Sequence, residues 1–137
     1  MGVELDEKLK FDINIGIICD KVARSIGVLY KIKPFVSIDT LISLYYSLIY
    51  PYLHYCNLVW GSASYIYLER LFLWQKRAVR IICNANYLAH TDPLFLRTKI
   101  LKIFDIHKLK IAIYMFNNRN TELTNARHDY ETRFEYF

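Results

Sequence analysis

Ser64-Tyr-Ile-Tyr-Leu-Glu-Arg-Leu-Phe-Leu-Trp-Gln-Lys-Arg-Ala-Val-Arg-Ile-Ile-Cys83 has the periodicity of an amphipathic helix. Leu68, Leu71, Phe72, Gln75, Ala78, Val79 and Ile82 recur at intervals of three and four, which gathers them on one face. At about 100° per residue, Arg70, Lys76, Arg77 and Arg80 fall within about a third of the circumference on the opposite side. One side of this helix requires a core and the other suits water or a polyanion.

The segments on either side also read as helical. Upstream, Ile15, Ile18, Val22, Ile26, Leu29 and Ile32 form a second stripe from about Asp12, with Lys21, Arg24 and Lys31 outside it. Pro34 closes that helix by disfavouring helical angles at Lys33. Ser37 is expected to cap the next helix, whose body from Leu41 to Trp60 holds no Asp, Glu, Lys or Arg. A helix apolar on every side must be enclosed by other elements or by lipid. Pro51 predicts a kink or restart within it, and Gly61-Ser62 its end. Downstream, residues 84–89 read as a linker. Thr91-Asp-Pro-Leu-Phe95 reads as a capped, proline-started short helix. Asp105 is expected to cap a final helix with Ile106, Leu109, Ile113 and Phe116 on its inner face. Residues 2–5 have the character of a short strand without a second strand to pair with. From Asn117 the chain is polar and aperiodic, as a loose tail would be. The expected fold is mostly α, a bundle of four to five helices with short connections. It divides into a leading segment (residues 1–11), a helical domain (12–118) and a polar tail (119–137).

Composition agrees with a packed helical domain. The 137 residues are 54% hydrophobic, with only 4 glycines and 3 prolines, which excludes collagen-like, linker-like and generally disordered chains. Eighteen basic side chains against 13 acidic give a net charge of +5, compatible with a polyanionic partner. Cys19, Cys56 and Cys83 are odd in number and lack a C-x-x-C pair, which suits reduced thiols in an intracellular protein. The charged start, Val3-Glu-Leu-Asp-Glu-Lys8, is unlike a secretory signal. Nuclear or cytoplasmic residence is expected.

No pattern in the chain supplies catalysis. The carboxylates are scattered, and neither a phosphate-cradling glycine loop nor a G-x-S-x-G elbow occurs. His54 stands two residues before Cys56, a spacing that points the two side chains apart on a helix. His54, Cys56, Cys83 and His90 match no common zinc spacing. No catalytic residue, metal, cofactor or small-molecule substrate is therefore expected. The uncharged stretch is long enough to span a bilayer. Five tyrosines, Pro51, His54, Asn57 and two serines within it argue for the centre of a bundle instead. The basic face of the helix expected from about Ser64 to Cys83 is the best binding candidate. Nine basic residues lie between Arg70 and Lys110, opposed only by Asp92 and Asp105, a local net charge of +7. That imbalance suits a phosphate backbone, whose contacts position a partner without reading its bases.

Several blocks carry a family resemblance. Leu44-Tyr-Tyr-Ser-Leu-Ile-Tyr-Pro-Tyr-Leu-His-Tyr-Cys-Asn-Leu-Val-Trp-Gly61 resembles a stretch near the C-terminal end of reverse transcriptases of non-LTR (LINE, jockey-like) retrotransposons. Gln75-Lys-Arg-Ala-Val-Arg-Ile-Ile82 is similar to that family's Q-K-R-A-x-R-x-I block. His90-Thr-Asp-Pro-Leu-Phe95 resembles its H-T-x-P-L-F, and Ile100-Leu-Lys-Ile-Phe-Asp-Ile106 its L-K-I-x-D-I. Gly2-Val-Glu-Leu-Asp-Glu-Lys-Leu9 resembles the G-V-x-x-D-x-K-L that leads out of the polymerase palm. The blocks run in order from Gly2 to about Asn118.

The resemblance implies a piece of an RNA-directed DNA polymerase lying beyond the F/Y-A-D-D signature, which this chain lacks. The piece corresponds to the helical thumb and the region after it, which in such polymerases packs against the template–primer duplex. It implies weak, sequence-independent contact with an RNA/DNA or DNA duplex, and a palm domain as the missing neighbour. Lys76, Arg77 and Arg80 match the family's basic block. Tyr50-Pro-Tyr52 and Trp60-Gly61 match its helical core. The chain departs from the family after Asn117, where an L-P-x-x-F segment is missing, while His128-Asp-Tyr-Glu-Thr-Arg133 keeps most of an H-x-Y-N-T-R motif. Such a deletion implies a degenerate genomic copy. Two other readings stay open: a structural helical module with no nucleic-acid role, and a small membrane-associated protein.

Overall fold

The computed structural model describes residues 2, 3, 7, 8 and 10–119. Among these the chain is mostly α, with seven helices and no strand: α1 (Asp12–Ile32), α2 (Ile38–Leu48), α3 (Tyr50–His54), α4 (Asn57–Trp60), α5 (Tyr65–Ile82), α6 (Asp92–Thr98) and α7 (Ile103–Asn117). The expected strand over residues 2–5 lies largely outside the described residues; Gly2 and Val3 carry no regular structure. Most of the expected tail also lies outside them.

The two clearest sequence stripes meet each other. α1 packs along α5, burying Ile15, Ile18, Val22, Ile26 and Leu29 against Leu71, Ala78, Val79 and Ile82 in one core. α2 and α3 lie across α1, and α5 also receives α2, α6 and α7. α5 is thus the central strut. α1 ends at Ile32, just ahead of Pro34 as expected, but Lys33 itself keeps helical angles and the chain tightens into a 3₁₀ turn, Lys33–Phe35, that absorbs Pro34. Ser37 caps α2 as expected, accepting from the Thr40 amide at 3.4 Å.

The uncharged stretch forms three short helices where one interrupted helix was expected. Pro51 sits in the first turn of α3, so its missing N–H falls at a helix start. The Leu48 carbonyl accepts instead from the Ser25 hydroxyl of α1 at 3.0 Å. A second break falls at Tyr55 and Cys56, where Tyr55 is extended and Cys56 adopts φ 49°. Two side chains take the carbonyls that a continuous helix would bond. The Trp60 indole donates to the Tyr55 carbonyl at 2.7 Å, and the Asn57 amide donates to Leu53 at 3.2 Å. These helices are enclosed on one side only: Leu41, Tyr45, Ile49, Leu53 and Trp60 are buried, while Tyr46, Tyr55, Leu58 and Val59 face outward. Among the described residues no helix is long and apolar enough to cross a membrane.

Two expected caps are not formed. Thr91 is buried and already helical, and its side chain makes no cap bond to α6. Lys102 takes the N-cap position of α7, which leaves Asp105 inside the first turn, where its charge suits the helix dipole. The inner stripe expected on α7 is also incomplete. Ile103 and Ile106 are buried, but Leu109, Ile113 and Phe116 are 45%, 50% and 63% exposed. The apolar residues of α7 are spread around its whole circumference among Asp105, Lys108 and Lys110, and its buried residues, Ile103 and Ile106, lie in its first turn.

Candidate nucleic-acid interface

Rotation of α5 about its axis is fixed by one buried side chain. Gln75 donates to the Tyr45 hydroxyl at 2.9 Å and to the Leu101 carbonyl at 2.7 Å, and accepts from the Ile103 amide at 2.9 Å. It ties α2, α5 and the entry to α7 at a point with no exposed surface. Burial pushes the Tyr45 phenol well above its ordinary pKa, and the Gln75 bond offsets part of that shift. With Gln75 and Ala78 facing inward, Lys76 and Arg77 must face outward.

All four sequence-predicted cations lie on that outer side, but they do not form one patch. Arg70 and Arg77 are exposed, and Lys76 and Arg80 are half-buried. Among the described residues none of the four forms an ion pair. Arg70 stands apart, about 15 Å from Arg80 along the axis at about 1.5 Å per residue. It lies close enough to Cys19 to oppose the upward shift that burial imposes on that thiol. The other three flank two depressions separated by Arg80.

The first depression is a groove of about 380 Å³ between α1 and α5, lined by Tyr30, Lys33, Trp74, Arg77, Arg80 and Tyr87 over a floor of Ile26, Ile81 and small residues. The Arg77 guanidinium lies 5.4 Å from the Trp74 ring centre and that of Arg80 6.0 Å from Tyr87. The second, of about 440 Å³, lies between α5, residues 88–92 and the start of α7. There the Lys76 ammonium sits 4.4 Å over the Phe72 ring, and Lys102 pairs with Asp92 at 2.7 Å. That bond, with Lys76 adding less, holds the Asp92 carboxyl below the ordinary carboxylate range.

Arg80 has a structural duty as well. Its Nε donates to the Ala89 carbonyl at 3.0 Å, holding residues 84–89 against α5. This connection begins with a left-handed Asn84, φ 52°, and with paired bonds from Asn84 to Ile81 and from Ala85 to Arg80, the geometry that closes a helix without glycine. Lys33 and Trp74 are site residues that sequence reasoning missed, and Lys102 entered it only as one of the nine basic residues between Arg70 and Lys110. Trp74 carries a usable signal, an aromatic three residues before Arg77 on the same helix. Lys33 and Lys102 come to the site only through tertiary packing.

The other candidate chemistry does not assemble. His54 ends α3 and is exposed, and its carbonyl accepts from Lys110. Burial lowers its pKa, and Lys110 nearby adds to that. Burial raises the Cys83 pKa, opposed by Arg97. Among the described residues no three His, Cys, Asp or Glu side chains come together as a metal site. Comparison with family models, curated proteins and solved structures returns no match.

Proposed function

We propose that this chain is the thumb-like, non-catalytic region of a non-LTR retrotransposon reverse transcriptase. On this reading it holds a template–primer duplex, RNA/DNA or DNA, weakly and without sequence preference, beside a palm domain that supplies the chemistry. It works inside the cell, in the nucleus or cytoplasm. The observation that carries the reading is the placement of Arg70, Lys76, Arg77 and Arg80 on the outer side of the helix that organises the core. A span of about 15 Å from Arg70 to Arg80 suits phosphates on either side of a groove about 12 Å wide.

The resemblance blocks also fall where packing gives them work. Gln75-Lys-Arg-Ala78 is one helical turn whose ends, Gln75 and Ala78, are buried and whose middle is charged. Trp60-Gly61 meets α7: a Cβ at Gly61 would collide with the His107 ring and the Asn57 carbonyl. Thr91 and Phe95 of the His90–Phe95 block enter the core.

Binding to a blunt RNA/DNA heteroduplex across a salt series tests the reading. Arg70 and Arg77 are exposed, so R70A plus R77A removes charge and leaves the core alone. The log-affinity against log-salt slope is expected to fall by about one to two units, at about 0.9 per phosphate contact. An unchanged slope removes these residues from the interface, and absence of duplex binding removes the function.

One observation favours a second reading, a structural module with no nucleic-acid role. Leu109, Ile113, Met115 and Phe116 leave the C-terminal half of α7 apolar and exposed. That module would self-associate in a way salt does not relieve, and would ignore duplex in the same titration.

A further inference from the structure

The α1–α5 groove has a chemistry that duplex gripping does not use. A duplex offers phosphates on its outside and keeps its bases paired within, so it needs cations on a ridge and no aromatic recess. Here Trp74, Tyr30 and Tyr87 surround a recess with an apolar floor, and Lys33, Arg77 and Arg80 stand at its margin. Among the described residues no Asp or Glu lines it. The two guanidinium groups already lie against ring faces, which orients their remaining donors outward. Flat π-faces combined with phosphate-binding cations form the platform that single-stranded nucleic acid stacks on. The volume, about 380 Å³, falls within the range of small-ligand sites.

We propose that this groove binds one unpaired nucleotide of a nucleic-acid strand, its base stacked against Trp74 and its phosphate held by Arg77 and Arg80. The inference rests on the duplex reading, because Arg77 and Arg80 serve both surfaces. It assigns the groove an overhanging or frayed strand beside the duplex. Tyr30 and Tyr87 are both exposed and close the two sides of the recess; Lys33 supplies a third charge from the α1 side. An acidic peptide would satisfy the cations and leave the aromatic faces unused.

Gly27 provides the test. It lines the groove, and a Cβ there meets nothing within 4 Å. G27L therefore places a side chain in the recess without displacing α1. Fluorescence anisotropy compares a six-nucleotide oligothymidylate, the same sugar–phosphate backbone without bases, and a blunt heteroduplex. Wild-type protein is expected to bind the oligothymidylate about five- to hundredfold more tightly than the abasic strand, the preference one stacked base confers. G27L should lose that preference and keep duplex binding. Trp60 has no exposed surface, so quenching of tryptophan emission by the oligothymidylate and not by the abasic strand reports Trp74.

Equal binding of the two single strands with duplex binding intact overturns the groove and leaves the duplex reading standing. Loss of binding to all three overturns both. Displacement of the oligothymidylate by a polyglutamate of equal charge, or undiminished base preference in G27L, also overturns the proposal.

Discussion

Replacing Gln75 with leucine keeps the side-chain volume roughly constant and removes three hydrogen bonds at once. The Ile103 amide and Tyr45 hydroxyl are buried and lose their Gln75 partner; the Leu101 carbonyl belongs to a residue 41% exposed and can turn to water. Two stranded buried groups at roughly 1–3 kcal/mol each, less about 1–2 kcal/mol from the more apolar side chain, leave a net loss centred near roughly 2.5 kcal/mol. With a urea dependence of about 2 kcal/mol per molar, the unfolding midpoint of Q75L should fall by about 1–2 M, followed by circular dichroism at the helical band. Y45F is the control: it removes the hydroxyl and leaves Gln75 bonded to Leu101 and Ile103, so it should cost about 1 kcal/mol or less. The double variant should cost less than the sum, because the stranded hydroxyl is gone. A Q75L midpoint within about 0.2 M of wild type, on the same urea scale, would refute the assignment of Gln75 as the tie that sets which side of α5 faces out.

Two glycines at packing extremes, Gly61 just after α4 and Gly27 inside α1, should respond with opposite signs. G61A forces a Cβ into the His107 ring and a backbone carbonyl and should lower stability by about 1–3 kcal/mol, whereas G27A enters open space and should raise it by about 0.5–1 kcal/mol through helix propensity; thermal midpoints read both. Asp92 is held below its ordinary value of 3.8 chiefly by Lys102. Its contribution is therefore complete at neutral pH and disappears as pH falls through the depressed value. The thermal midpoint of D92N should accordingly fall less between pH 6 and pH 3 than that of wild type, and both curves should converge in high salt.

How much of this was legible depended on whether local pattern and tertiary burial coincide. In α1 and α5 they do: the residues at helical spacing are those that the α1–α5 contact covers, so both helices and the outward position of Arg70 and Arg77 followed from periodicity alone. The break at Cys56 was hidden because its cause is capture of backbone carbonyls by Trp60 and Asn57, which no spacing announces. α7 misled for a different reason. A helix with apolar residues on every side has no preferred face, so nothing in its sequence indicates that its first turn, with Ile103 and Ile106 buried and Phe104 packed beside them, is the part that reaches the core. Likewise the groove needs Tyr30 of α1 and Lys33 of the turn after it beside Trp74 and Arg77 of α5, a meeting that exists only once the helices dock.

That docking also sets an order of events during synthesis. α1 is complete at Ile32, yet the helix that covers its apolar stripe ends at Ile82, with α2, α3 and α4 emerging in between. At translation rates of roughly 5–20 residues per second the wait is a few seconds. Until α5 has emerged, the side of the Ile15, Val22 and Leu29 stripe that α5 covers is open to holdase chaperones, even once α2 and α3 can lie across α1. Slow codons placed between the two helices would lengthen the vulnerability, and fast ones would shorten it.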